Sequence, residues 1–163
     1  MQARLHRWRL NLVTGAVREE RLSETITEFG TNLDYAGGKY RYAYAATGKP
    51  GWFLFDGLVK HDVLTGGEER YSFGDGVYGS ETAMAPRVDG AGEHDGYLVT
   101  LTTDMNADAS YCLVFDAARL ADCPVCKLAL PERISSGTHS TWAAGAELRR
   151  WNTAESPASA IGL

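Results

Sequence analysis

The sequence predicts an all-β fold, namely about three blades of a β-propeller, one of them incomplete. Three observations indicate this fold. Short segments alternate apolar and polar residues, as strands with one buried face do. Strand–hairpin units recur about every fifty residues, which is typical of propeller blades. The 163 residues include 18 glycines and 8 tyrosines, a composition that suits strands joined by tight turns.

The first predicted hairpin lies near the N-terminus. Trp8, Leu10 and Leu12 alternate with polar residues, the Thr14-Gly15 pair predicts a turn, and the return strand begins at Val17. Because no third strand precedes this hairpin, we expect it to be the outer part of an incomplete blade.

Two further units add a strand before the hairpin. Their predicted strands lie around residues 40–44, 58–62, 71–73, 97–101, 113–116 and 125–130. Residues 45–55, which include Gly48, Pro50 and Gly51, are expected to form a long loop between the first two of these strands. The second hairpin turns at Thr65-Gly66, 51 residues after Thr14-Gly15. A β-sandwich is the main alternative because it also has many short strands, but it does not account for a fixed long period. The glycines near these turns lack the lysine and following helix of a phosphate loop.

About three blades do not close a ring, since propellers have roughly four to eight. An open arc exposes blade faces and strand edges, which favours aggregation. We therefore expect that copies associate or that the chain is a piece of a longer protein. The first strand begins close to Met1 without a cap, which favours a piece.

Charge and cysteine content exclude several classes of protein. The net charge is −5 and no lysine or arginine cluster is present, so nucleic-acid binding is not expected. No stretch resembles a signal peptide or a membrane span. The 3 cysteines are odd in number, which fits a reducing cytoplasm. Cys123 and Cys126 supply half a zinc site without a second ligand pair, so a turn at Pro124 is the better interpretation.

Three polar residues occupy similar positions in successive repeats. Glu28 and Glu81 are 53 residues apart, and His139 follows 58 residues later. Each follows a turn-rich stretch, so we expect all three on the innermost strands, which line the axis. Histidine is a common metal ligand and glutamate a common acceptor for its free N–H, so the spacing points to a metal site. The alternative is two surface glutamates and a hydrogen-bonded histidine in the core.

The chain resembles the C-terminal part of the carotenoid cleavage oxygenase family, which includes stilbene-cleaving dioxygenases. The resemblance runs in order from Leu5 to Trp142. The stretches that carry it are residues 5–8, 27–30, 40–45, 56–62, 78–87 and 137–142.

The resemblance implies a seven-bladed propeller whose axis holds Fe(II) through four histidines. His139 would be the last of these ligands, and Glu28 and Glu81 would accept Nδ1 protons from ligating histidines. The family cleaves a C=C bond of an apolar alkene with O2, giving two carbonyl products, in a tunnel that Phe29 and Tyr78 are expected to line. It needs no organic cofactor.

The chain departs from the family because the segment with the other three ligands is absent. His6, His61 and His94 do not match ligand positions, and one histidine holds Fe(II) poorly. We therefore expect this segment alone to be inactive and to need the missing N-terminal blades, from the same or another chain. A stand-alone interaction module and one chain of a split enzyme remain as alternatives. Most elements for substrate entry and peripheral membrane contact would lie in the absent part.

The last segment shows no strand pattern. We expect residues 1–142 to form the C-terminal blades and residues 143–163 to be an irregular, disordered or weakly helical tail.

Overall fold

The computed structural model describes residues 2–28, 32–51, 54–135, 137 and 139–153, and these residues form nine strands and one α-helix. The strands are β1 (Arg4–Leu10), β2 (Val17–Glu28), β3 (Tyr42–Gly48), β4 (Phe55–Asp62), β5 (Glu68–Ser72), β6 (Val77–Pro86), β7 (Gly96–Asp104), β8 (Ala109–Asp116) and β9 (Cys126–Ala129). The helix α1 spans Gly145–Thr153, and no described helix is long and apolar enough to cross a bilayer.

The strands form two antiparallel four-stranded units, as expected for propeller blades. One unit contains the end of β2 followed by β3, β4 and β5, and the other contains β6 to β9. β2 belongs to two units, because its first part pairs with β1 and its last two residues, Thr27 and Glu28, pair with β3. The outer strand of one unit therefore leads directly into the inner strand of the next.

The two predicted Thr-Gly turns have the same geometry. Gly15 and Gly66 both adopt positive φ, at 72° and 76°, which glycine tolerates without steric cost. Their N–H groups donate to the carbonyl oxygens of Asn11 and Asp62, both at 2.8 Å. This equivalence confirms in three dimensions that the two hairpins repeat.

The core lies between the faces of the two units. The largest fully buried side chains include Tyr44, Leu58, Leu98 and Phe115, which lie on β3, β4, β7 and β8, respectively. The buried Tyr44 hydroxyl donates to the carbonyl oxygen of Ala117 at 3.2 Å. This buried hydroxyl therefore has a hydrogen-bond partner, as buried polar groups generally do.

The predicted long loop over residues 45–55 is wrong at both ends. β3 continues through Gly48 and β4 begins at Phe55, with Ala45 opposite Val59 in the register. Pro50 and Gly51 favour a turn, which led to the prediction of a long loop, but they lie only in the short connection between β3 and β4. Residues 52–53 lie outside the described part of the chain.

The tail is helical where we expected irregular or weakly helical structure. Residues 145–153 form α1, which is rich in strong helix formers such as Ala146, Leu148 and Arg149. The Glu147 carboxylate also accepts the N–H of Ala144 at 3.2 Å, which caps the first turn. Residues 154–163 lie outside the described residues, and the boundary at 142/143 remains a prediction.

Candidate functional site

A β-bulge in β6 sets the position of Glu81. The pairing of β6 with β7 shifts between Gly79 and Thr82, so Ser80 and Glu81 lie opposite the single residue Leu101. Bulges of this kind bend the strand and re-aim a side chain, and they occur often beside active sites. The bulge therefore takes Glu81 out of the regular alternation of β6.

The Glu81 carboxylate contacts the segment that contains His139. Its Oε2 atom lies 3.2 Å from His139 Nδ1 and accepts the backbone N–H of Ser140 at 2.8 Å. The Glu81 side chain is 13% exposed, whereas that of His139 is 79% exposed. A carboxylate beside Nδ1 favours the tautomer with the proton on Nδ1, which leaves a lone pair on Nε2 for a metal ion.

The carboxylate of Glu81 borders a cleft of about 440 Å³. The cleft lies between β6, the loop before β3 and the start of α1. Its lining includes Asn32, Leu33, Met84, Ser140, Trp142 and Glu147. An acidic group therefore stands at the wall of a cavity with mixed polar and apolar surfaces.

Glu28 occupies the strand position expected for it. It is the half-buried last residue of β2, opposite Ala46 of β3, on the innermost strand of its unit. Glu81 likewise lies on an innermost strand. His139 follows β9 but lies in none of the described strands, contrary to the expectation.

The two residues expected to line the substrate tunnel have different outcomes. Phe29 lies outside the described residues. Tyr78 lies in β6 and borders a smaller cleft with Leu54, Met105 and Ile134, which is distinct from the cleft at Glu81. Its place in a substrate tunnel remains a prediction.

The other histidines contact neighbouring side chains in the outer strands and loops. His6 Nε2 lies 2.9 Å from Glu19 Oε1, and the ring stacks on Trp8. His94 packs edge-on against Tyr42, with ring centroids 5.1 Å apart. Within the part of the chain that the structure describes, no three His, Cys, Asp or Glu residues cluster as a metal site. The described residues could therefore supply an iron centre with one imidazole ligand and its carboxylate partner, but not with a complete set of ligands.

His61 belongs to a buried network around Glu68 that sequence reasoning missed. Glu68 accepts hydrogen bonds from the hydroxyls of Ser23 and Thr25 and from Arg70, and it lies 3.1 Å from His61 Nδ1. Burial lowers the pKa of His61. Burial raises the pKa of Glu68, but the hydrogen bonds from Ser23, Arg70 and Thr25 outweigh it and lower that pKa to about 2. The network joins β2 to β4 and β5, so it fastens the first hairpin to the next unit.

Acidification is expected to destabilise the chain in two steps. The neutral form of His61 is favoured by folding, so its contribution is complete above about pH 6.5 and declines below it. The contribution of Glu68 declines as the pH falls from 4.5 to about 2. Urea unfolding at several pH values should show a loss of about 1–3 kcal/mol on the lower step. Glu68→Gln should reduce the loss of unfolding free energy on the lower step. Glu132→Gln, at an exposed site, should leave that loss unchanged. Equal acid dependence of the two variants would contradict the role of Glu68.

Comparison with known proteins identifies the family. Residues 1–144 match the sequence model of the family that is described as retinal pigment epithelial membrane protein. The chain belongs to this family, whose members include carotenoid cleavage oxygenases. It is 34% identical over 151 residues to carotenoid 9,10(9',10')-cleavage dioxygenase 1 of Pisum sativum. It is 28% identical over 159 residues to lignostilbene-α,β-dioxygenase isozyme III of Sphingomonas paucimobilis.

Solved structures confirm that the fold is part of the carotenoid oxygenase β-propeller. The lignostilbene dioxygenase of Pseudomonas brassicacearum matches with a TM-score of 0.80 and 26% identity, over 87% of this chain and 32% of that one. The apocarotenoid oxygenase of Synechocystis matches with a TM-score of 0.79 and 24% identity, over 86% of this chain and 30% of that one.

The chain spans only part of its curated relatives. The match to the Pisum sativum enzyme covers 83% of this chain but 28% of that enzyme. The match to the Sphingomonas paucimobilis enzyme covers 88% of this chain and 32% of that enzyme. The two units and the hairpin before them therefore correspond to about a third of a family member or slightly less.

Proposed function

We propose that this chain is the C-terminal part of a non-haem Fe(II) dioxygenase that cleaves a C=C bond of a carotenoid, apocarotenoid or stilbene-type substrate. The observation that carries the proposal is the contact of His139 Nδ1 with Glu81 Oε2 at 3.2 Å. This contact is the arrangement of a metal-ligating histidine and its orienting carboxylate. The carotenoid and lignostilbene dioxygenases among the relatives support the reaction and the substrate class.

In this proposal His139 contributes its Nε2 atom to iron. Glu81 holds the proton on Nδ1 and fixes the plane of the ring. Glu28 does the same for a ligand histidine that this chain does not supply. Iron held there would supply the redox centre for the reaction of O2 with the alkene. The residues that line the cleft at Glu81 form one wall of the substrate cavity and limit the access of water.

A chain with one iron ligand is expected to be inactive alone, because metal affinity depends on several ligands acting together. The mass of the polypeptide in its source cells separates the alternatives. A species near three times 17.7 kDa indicates a complete oxygenase of which this chain is a part. A species of 17.7 kDa alone indicates a split enzyme or a non-catalytic module, and iron that appears only with a partner chain identifies the split enzyme.

Glu81→Gln in the complete protein is expected to weaken iron retention by about ten- to a hundred-fold. The amide keeps the size of the side chain but loses the charge that orients the imidazole. Iron retention is measured as the fraction left after dialysis against graded chelator concentrations. Glu132→Gln, at an exposed glutamate between β9 and His139, is the matched control. Equal iron retention and turnover in both variants would contradict the role of Glu81.

A further inference from the structure

The bulge in β6 leaves Glu81 without a directly opposite residue in the register with β7. The register pairs Gly79 and Thr82 with β7 but assigns no partner to Ser80 or Glu81. A backbone carbonyl outside the ladder needs another donor when water is partly excluded. The Glu81 carbonyl oxygen accepts the hydroxyls of Ser80 and Ser140, both at 3.0 Å.

These two hydroxyls serve different parts of the structure. Ser80 is buried in β6, and its Oγ also accepts the N–H of Leu101 at 3.3 Å, so it stabilises the bulge itself. Ser140 comes from the segment after β9 and directly follows His139 in the chain. Its hydroxyl therefore ties the histidine segment to the bulge.

Ser140 contacts Glu81 at two separate atoms. Its N–H donates to the carboxylate atom Oε2 at 2.8 Å, and its hydroxyl donates to the backbone oxygen at 3.0 Å. Oε2 is the same atom that lies 3.2 Å from His139 Nδ1. Two hydrogen bonds between one pair of residues fix both distance and orientation, so they restrict the carboxylate relative to the imidazole.

We propose that Ser140 is a positioning residue that holds Glu81 Oε2 against His139 Nδ1 through this two-point contact. The inference rests on the proposed function for the meaning of the His139–Glu81 pair, and it adds the residue that maintains the pair. Alanine or glycine at position 140 keeps the N–H but removes the hydroxyl. Residue 140 then retains one of its two hydrogen bonds to Glu81.

The tautomer of His139 reports this positioning directly. Long-range proton–nitrogen NMR of the ¹⁵N-histidine-labelled complete protein, with its iron removed by a chelator, at about pH 9, where imidazoles are neutral, measures the ratio of Nδ1–H to Nε2–H forms. His139→Asn assigns the signal, and the amide spectrum of each variant checks its fold. We expect the Nδ1–H form to dominate in the wild type. Ser140→Ala and Ser140→Gly should lower the ratio about five-fold, as loss of one hydrogen bond implies.

Two further variants separate positioning from general stabilisation. Ser140→Thr retains a hydroxyl and should retain the wild-type ratio. Ser135→Ala removes an exposed serine earlier in the same segment and should also leave the ratio unchanged. In the complete protein, Ser140→Ala should release iron to a chelator about five-fold faster than Ser135→Ala does.

The outcomes distinguish this inference from the proposed function. If Glu81→Gln shifts the tautomer and both Ser140→Ala and Ser140→Gly do not, the role of Ser140 is wrong and the His139–Glu81 pair stands. If wild-type His139 carries its proton on Nε2, the pair itself is wrong and the proposed function loses its main support. Equal iron release by the Ser140→Ala and Ser135→Ala variants also overturns the role of Ser140.

Discussion

His139→Ala in the complete protein is expected to reduce iron content from about one atom per polypeptide to background and to abolish alkene cleavage. Under the proposed function, this variant lacks the imidazole that His139 contributes to the iron centre. It also leaves the Glu81 carboxylate, 13% exposed, without its imidazole partner. Metal content is measured by mass spectrometry after size-exclusion chromatography, and cleavage by loss of the conjugated absorbance of a stilbene or apocarotenoid.

The matched control for this prediction is His6→Ala. His6 lies in β1, where it contacts Glu19 and stacks on Trp8, away from β6. This variant should retain its iron. A His139→Ala protein that binds iron as well as His6→Ala does would show that His139 is not a ligand.

Phe115→Ala is expected to lower the free energy of unfolding by about 3–5 kcal/mol. Phe115 has no exposed surface and packs edge-on against Tyr71 with ring centroids 4.7 Å apart. Its removal leaves a cavity between β8 and β5, where the two four-stranded units meet. The measurement is urea unfolding followed by tryptophan fluorescence.

Leu128→Ala is the control for the core prediction. Leu128 lies on β9 with 54% of its surface exposed, so its truncation should cost less than about 0.5 kcal/mol. Similar losses in the two variants would mean that the units do not share the core described here.

Much of the fold follows from sequence because the information is local. Alternation around Trp8 and Tyr42 predicts strands, and the two Thr-Gly turns carry both the glycine and the preceding Asn11 or Asp62 that the hairpin requires. The interval of 51 residues between these turns then indicates the repeat. The structure confirms an all-β arrangement in which the outer strand of one unit leads into the next.

The site was only partly predictable. Repeat spacing placed Glu28 and Glu81 on equivalent strands, and the structure brings Glu81 to His139. The bulge at Ser80 and the hydrogen bonds of Ser140 had no sequence signal, because a bulge depends on which residues of two distant strands lie opposite each other.

The Glu68 network was missed for a related reason. Ser23 and His61 are far apart in sequence and meet only when β2 packs beside β4 and β5. The length of β3 was underestimated because Pro50 and Gly51 suggest a loop, while Ala45 and Thr47 pair with β4. In each case tertiary pairing decided the structure.

The most direct test of the central claim is iron-edge anomalous diffraction from crystals of the complete protein. We expect one iron peak within coordination distance of His139 Nε2, with Glu81 on the Nδ1 side of the ring and the remaining ligands from outside this chain. An iron peak elsewhere in the molecule, or a His139 side chain turned away from both iron and Glu81, would contradict it.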